Sequence, residues 1–190
     1  LVQGWGLNVR AWDTTLNALI NNGRAVVAFD QRACGKSDMD FQSASIEDGA
    51  GDVVNLVKSL GLREVVLNGW SLGGAIAVEA ARQLGADFVI AVDISSKADG
   101  IASPTSMLGN VNQSFKIMGG KLGALELQRA DIVIRPKVND IGPADFAAKN
   151  RAILEGERAA QAALPQIRAK LAALQAGRTA KARQAADADA

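Results

Sequence analysis

The segment that decides the fold is Asn68-Gly69-Trp70-Ser71-Leu72-Gly73-Gly74. The apolar residues just before it predict a short strand over 64–68, and apolar residues at helical spacing just after it predict a helix over 72–84. A strand that passes through a glycine-rich turn directly into a helix is typical of parallel α/β sheets, in which such turns lie at the carboxyl ends of strands. The sequence therefore predicts an α/β protein with chemistry at this turn.

A Gly-x-Ser-x-Gly sequence between a strand and a helix is typical of a nucleophile elbow. Such a turn holds its serine in a strained backbone conformation that leaves no room for large neighbours, and Gly69 and Gly73 meet this requirement. A helix starting at Leu72 would direct its free N–H groups and its dipole toward negative charge that develops beside Ser71. Ser71 is the candidate nucleophile.

Strand and helix patterns alternate along the rest of the chain. This alternation predicts a three-layer sandwich with a mostly parallel sheet, an incomplete core and additional C-terminal helices. Ser45 and Asp48 form a helix-start signal. We expect one domain over 1–176, divided at residue 85 into two halves, and a disordered, low-complexity tail over 177–190. Strands are predicted over 25–29, 64–68, 88–92 and 132–134, and helices over 9–20, 46–60, 72–84, 104–129 and 144–175.

Composition excludes several classes of protein. The 190 residues carry a net charge of +1, too little basic excess for a nucleic-acid partner, and no run is apolar enough for a transmembrane helix. The single cysteine, Cys34, fits a reducing compartment and favours the cytoplasm. Histidine is absent, which removes the usual general base and the commonest metal ligand. We therefore expect no metal and no cofactor. Because the sequence begins at Leu1 and not at a Met, we expect that the chain is a fragment.

The second motif is Gln3-Gly4-Trp5-Gly6. An elbow enzyme takes a second oxyanion donor from the loop after a neighbouring strand. Gly4 lets that backbone approach the site, and the Trp5 N–H is the natural donor beside the N–H of Leu72. Trp70 is predicted either to line an acyl pocket or to pack in the core.

Residues 1–85 resemble the α/β-hydrolase family. The resemblance rests on Leu-Val-Gln-Gly-Trp-Gly-Leu-Asn at 1–8, Phe-Asp-Gln-Arg-Ala-Cys-Gly-Lys-Ser-Asp at 29–38 and Asn-Gly-Trp-Ser-Leu-Gly-Gly at 68–74. Within that family, the sequences of the first and third segments are most similar to those of the pimeloyl-acyl-carrier methyl ester esterases. The resemblance implies that Ser71 is the nucleophile and that the Trp5 and Leu72 amides are oxyanion donors. Two positions depart from the family pattern: Gln3 replaces the usual His, and Ala33 replaces the usual Gly.

Residues 78–175 resemble the C-terminal part of bacterial patatin-like phospholipases. The matching segments are 79–96, 126–136 and 141–146. That resemblance implies a phospholipase or other acyl-lipid hydrolase with a Ser–Asp dyad and a role in lipid metabolism. However, the place of the family's Asp motif holds Asn68-Gly69-Trp70-Ser71.

A serine hydroxyl needs a proton acceptor to act as a nucleophile at neutral pH, and the chain has no His to supply it. Asp93 is the candidate substitute, with Asp99 and Asp30 as alternatives that could instead serve as turn or loop residues. The sequence predicts a serine hydrolase of carboxylic esters that works through an acyl-Ser71 intermediate and is weak or inactive. The alternatives are a patatin-like acyl-lipid hydrolase and a non-catalytic scaffold.

The expected partner is a small-molecule ester or an acyl lipid. The basic residues within 149–183 are interpreted as a solvated helix face. A basic amphipathic helix lying on a membrane is the alternative, and the interspersed acidic residues argue against it. These are Glu155, Glu157, Asp187 and Asp189.

Overall fold

The computed structural model describes residues 1–95, 127–142 and 145–188. Contacts within the chain divide it into two units, Leu1–Ala86 and Asp87–Ala190. The predicted helix over 104–129 lies, apart from 127–129, outside the described residues. The interpretation of 1–176 as one domain with two halves stays a prediction.

The first unit contains three α-helices and one turn of 3-10 helix. The 3-10 helix at Val9–Trp12 leads directly into α1 at Asp13–Asn21. The second and third helices are α2 at Ile46–Ser59 and α3 at Leu72–Gln83. All three predicted helices of this unit are therefore confirmed, with ends within a few residues of the predicted ones.

Helix α2 starts at the predicted signal and supplies most of the core of this unit. The Ser45 side chain accepts a hydrogen bond from the Asp48 N–H, while the Asp48 carboxylate accepts one from the Ser45 N–H. This reciprocal cap satisfies backbone donors that have no partner within the helix. The apolar face of α2 packs against α3, and together with Val2 the two helices enclose the buried cluster. Its members are Val2, Ala50, Val53, Val54, Val57, Ile76, Ala77 and Ala80.

Two strands predicted for this unit, 25–29 and 64–68, do not form regular strands. Residues 1–3 lie between these two segments: the Leu1 amino group donates to the Val27 carbonyl, and the Val2 N–H donates to the Asn68 carbonyl. Val2 and Gly69 form an isolated parallel bridge. The pairing is parallel, as predicted, but residues 1–3 offer too few backbone groups for a continuous ladder.

The second unit contains a small parallel sheet. Strand β1 at Ile90–Val92 pairs with β2 at Ile132–Ile134, in register from Ile90 opposite Ile132 to Val92 opposite Ile134. The side chains of Ile132 and Ile134 are buried. The α/β class and the parallel pairing are thus confirmed.

A 3-10 turn at Phe146–Ala148 leads into α4, which runs from Lys149 to Ala188 and includes Pro165. The structure differs here from the expected disordered tail, because residues 177–188 continue the helix. Alanine has the highest helix propensity, and this segment is rich in it. Arg178 also pairs with Asp87, and Lys170 pairs with Asp131, so the helix is tied to its own unit near the sheet.

Candidate active site

Ser71 occupies a strained turn at the start of α3. Its backbone has φ 57° and ψ −125°, a conformation that non-glycine residues rarely adopt. The Gly73 N–H donates to the Trp70 carbonyl and the Gly74 N–H donates to the Ser71 carbonyl, which closes the turn. The Ser71 side chain is exposed. The sequence pattern predicted this geometry: a sharp turn between an extended segment and a helix.

The glycines around Ser71 allow backbone segments to meet. A Cβ atom on Gly73 would lie 2.2 Å from the Val2 carbonyl oxygen and 2.3 Å from that of Gln3. A Cβ atom on Gly4 would lie 3.3 Å from the Cβ of Ser71 and 3.4 Å from the Trp70 carbonyl oxygen. The structure therefore brings Gly4 directly beside Trp70 and Ser71, as expected for the loop that completes an oxyanion site.

The predicted oxyanion donors have no acceptor of their own. Within the part of the chain that the structure describes, neither the Trp5 N–H nor the Leu72 N–H donates a hydrogen bond. Leu72 is the first residue of α3, where the positive end of the helix dipole lies. Unpaired donors at this place can stabilise an oxygen that gains negative charge.

Two tryptophan side chains border the turn and face solvent. The side chain of Trp5 is 82% exposed and that of Trp70 is 51% exposed. Trp70 is thus excluded from the core of its unit. Its exposure argues against the alternative of core packing, and the contact with an acyl group stays a prediction.

Gln3, which stands where the family pattern has His, is completely buried. With its side-chain amide oriented to satisfy both partners, the nitrogen lies 2.8 Å from the Phe29 carbonyl and the oxygen lies 2.9 Å from the Gln31 N–H. The side chain of Gln31 in turn donates to the Gln3 carbonyl. Gln3 therefore joins two neighbouring extended segments through its side chain.

Asp30, an alternative candidate base, is engaged by backbone donors. The Val9 N–H donates to its Oδ1 at 2.6 Å, and the Lys36 N–H donates to its Oδ2 at 2.9 Å. The hydrogen bonds from Lys36 and Val9 lower the pKa of the Asp30 carboxyl. This carboxylate holds loops together, which agrees with the alternative interpretation of Asp30 as a turn residue.

Asp93 follows β1 in the second unit. Its carboxylate accepts hydrogen bonds from the Ser95 N–H at 3.0 Å and from the Arg135 Nε at 3.2 Å. Partial burial raises the pKa of Asp93, but the hydrogen bonds from Ser95 and the charge and hydrogen bond of Arg135 outweigh it, and the pKa lies below its ordinary value. A carboxylate stabilised in this way is a poor proton acceptor. Asp99, the remaining candidate, lies outside the described residues.

The sequence was compared with known protein families. The profile of the "Alpha/beta hydrolase family" matches residues 1–188. The chain belongs to the α/β-hydrolase family. Because this match extends through residue 188, it includes the segment 78–175 that resembles patatin-like phospholipases. The matches give no support to the patatin-like interpretation of that segment, nor to the specific esterase group.

Several curated proteins match part of the chain. The "AB hydrolase superfamily protein YisY" of Bacillus subtilis (strain 168) is 31% identical over 151 residues, which cover 78% of this chain and 53% of the relative. A "Non-heme haloperoxidase" of Rhodococcus erythropolis is 38% identical over 72 residues, 38% of this chain and 26% of the relative. A "Bifunctional esterase/perhydrolase DCH" of Acinetobacter calcoaceticus is 33% identical over 72 residues, with the same coverage.

The chain thus spans about half of YisY and about a quarter of the other two relatives. No solved structure matches the chain. Among the described helices of this α/β hydrolase, none combines the length and apolarity needed to cross a bilayer.

Proposed function

We propose that the chain is a serine hydrolase of carboxylic esters that forms an acyl intermediate on Ser71. The observation that carries the proposal is the exposed Ser71 at φ 57°, placed at the start of α3 and next to Gly4. The Ser71 oxygen would attack the ester carbonyl and give up its proton, and the Leu72 and Trp5 amides would bind the resulting oxyanion. Collapse of this intermediate would break the ester C–O bond and release the alcohol, and water would then hydrolyse the acyl-Ser71 ester to the free acid. Membership of the α/β-hydrolase family supports a hydrolase, and the esterase named among the relatives supports an ester substrate.

We propose that turnover by this chain is weak. Activation of Ser71 needs a proton acceptor, and the 190 residues contain no histidine. Asp93 is kept as the candidate acceptor, and its lowered pKa supports inefficient rather than efficient proton transfer. Oxyanion donors and binding alone leave roughly 10³–10⁴-fold acceleration over water when a triad is broken. Steady-state turnover is therefore expected below roughly 1 per second, the lower end of the usual enzyme range.

The test of the nucleophile is covalent labelling by a fluorophosphonate probe, followed by mass spectrometry of the labelled peptide. The probe should modify Ser71 in the wild-type chain and should not modify Ser71→Ala. Ser59→Ala is the matched control, because Ser59 is an exposed serine of the same unit at the end of α2 and should leave labelling unchanged. Absence of labelling in the wild type would favour the non-catalytic scaffold.

Substrate preference distinguishes the proposed esterase from the alternative of an acyl-lipid hydrolase. Short p-nitrophenyl esters and phosphatidylcholine vesicles are offered to the wild type and to Ser71→Ala at equal concentration. Release of p-nitrophenol from the short esters alone supports the proposed esterase, whereas release of fatty acid from the vesicles alone supports a phospholipase with a Ser–Asp dyad.

The single cysteine remains the basis for proposing a cytoplasmic location.

A further inference from the structure

We propose that Asp30 and Gln31 are positioning residues that fix the oxyanion loop, defined as residues 4–8, beside Ser71. The inference rests on the proposed function, because the loop matters through the Trp5 N–H that it carries. Gln31 binds the loop just before its start, since its side chain donates to the Gln3 carbonyl. Asp30 binds just after its end, since its Oδ1 accepts from the Val9 N–H at 2.6 Å.

The middle of the loop has few other contacts to hold it. At its ends, Gly4 is buried beside Ser71, and the Asn8 carbonyl accepts from the Ala11 N–H at 3.0 Å. Its own backbone forms one internal hydrogen bond among the described residues, from the Leu7 N–H to the Gly4 carbonyl, and this bond is long at 3.4 Å. The Trp5 side chain is exposed and Gly6 has no side chain, so neither residue contributes much packing. The conformation of the Trp5 peptide therefore depends on where the two ends of the loop are held.

The two anchoring residues are themselves fixed. Gln31 is buried, and its backbone N–H faces the Gln3 side chain. The second carboxylate oxygen of Asp30 accepts from the Lys36 N–H at 2.9 Å, and the Asp30 carbonyl accepts from the Ser37 hydroxyl. The adjacent residues Asp30 and Gln31 thus hold both ends of the loop, through contacts that span 21 and 28 residues of sequence.

This arrangement should affect the reaction step more than binding. The Trp5 N–H stabilises charge that appears only as the oxyanion forms, so its displacement slows bond formation without weakening the initial complex. Loss of one oxyanion donor lowers the rate about 10²–10³-fold. If the donor is displaced rather than removed, the rate should fall by a smaller factor, roughly 10–100-fold.

The experiment compares Gln31→Leu and Asp30→Ala with Gln42→Leu and Asp40→Ala as matched controls. Gln42 and Asp40 are exposed, and neither side chain makes a hydrogen bond among the described residues. Fluorophosphonate labelling is resolved into the first-order inactivation constant and the inhibitor dissociation constant. The nuclear-magnetic-resonance order parameter of the Trp5 amide is measured on the same four variants, and thermal unfolding selects variants that are folded at the assay temperature. Asp30→Asn, which keeps the shape of the side chain and one acceptor oxygen, replaces Asp30→Ala if the latter does not fold.

We expect both anchor variants to lower the inactivation constant roughly 10–100-fold with an unchanged dissociation constant, and to lower the Trp5 order parameter from the rigid range toward about 0.6. The controls should match the wild type in both measurements. An unchanged order parameter, or an unchanged inactivation constant in a labelled and folded anchor variant, overturns this inference. Failure of the wild type to react would instead refute the proposed function, and the order parameter would then decide by itself whether Asp30 and Gln31 hold the loop.

Discussion

The backbones of Gly69 and Gly73 approach so closely that a Cβ atom on Gly69 would lie 2.0 Å from the Gly73 carbonyl oxygen. This contact lets the extended segment before Ser71 and the first turn of α3 lie against each other. The Gly-x-Ser-x-Gly spacing therefore has a steric cause that is separate from the chemistry of the serine.

We predict that Gly69→Ala lowers the free energy of unfolding by about 3 kcal/mol or more, because a backbone segment must move to admit the methyl group. Gly74→Ala is the matched control. Its Cβ would lie 3.6 Å from the Gly69 carbonyl oxygen, an ordinary contact, and alanine in a helix gains up to about 1 kcal/mol over glycine. Urea unfolding followed by tryptophan fluorescence measures both variants. A Gly69→Ala variant as stable as Gly74→Ala would contradict the observed contact.

Ser71→Gly should be more stable than Ser71→Ala. The positive φ of residue 71 costs a non-glycine residue about 1–3 kcal/mol, while the flexibility of glycine in the unfolded chain offsets about 0.5–1 kcal/mol. The expected difference in unfolding free energy is about 1 kcal/mol in favour of glycine, by urea unfolding. At Ser59, at the end of α2 and without a positive φ, the order should reverse. A Ser71→Ala variant more stable than Ser71→Gly, the order expected at Ser59, would mean that Ser71 is not strained.

Of the two positions that depart from the family pattern, Ala33 has a strained backbone. The residue is exposed and has φ 61°, a conformation that glycine adopts without a steric penalty. We predict that Ala33→Gly raises the unfolding free energy by about 1 kcal/mol, measured by urea unfolding. Ala44→Gly, in an exposed loop without a positive φ, should be neutral or destabilising. A loss of stability in Ala33→Gly would show that the turn tolerates alanine without strain.

The sequence predicted those features of the fold that depend on local patterns. Ser45 and Asp48 indicated the start of α2, and the glycines around Ser71 indicated the turn before α3. Each of these signals lies within a few consecutive residues, so each can be recognised without knowledge of distant contacts.

Features that depend on distant contacts were not predictable. The apolar run at 64–68 has the composition of a strand, but its neighbour in space is the short segment 1–3, and only a bridge at Gly69 forms. The contact between Gln31 and Gln3 spans 28 residues and joins two residues whose type indicates no site. The low complexity of 177–190 predicts a disordered tail, but residues 177–188 are helical, in agreement with the high helix propensity of alanine.

The stability of the first unit should depend on the ionisation of Asp30. The Lys36 and Val9 N–H groups hold the pKa of Asp30 below its ordinary value of 3.8 in the folded chain, so the native state binds fewer protons than the unfolded state in this range. The stabilisation is therefore present above the ordinary carboxyl pKa and is lost as pH falls through the lower, folded pKa. We predict that the difference in unfolding free energy between the wild type and Asp30→Asn is constant near neutral pH and shrinks below about pH 4, by urea unfolding at a series of pH values. Asp40→Asn is the control, because the exposed Asp40 carboxylate accepts no hydrogen bond among the described residues. A difference for Asp30→Asn that grows toward acid pH would mean that its carboxylate is not held by these backbone donors.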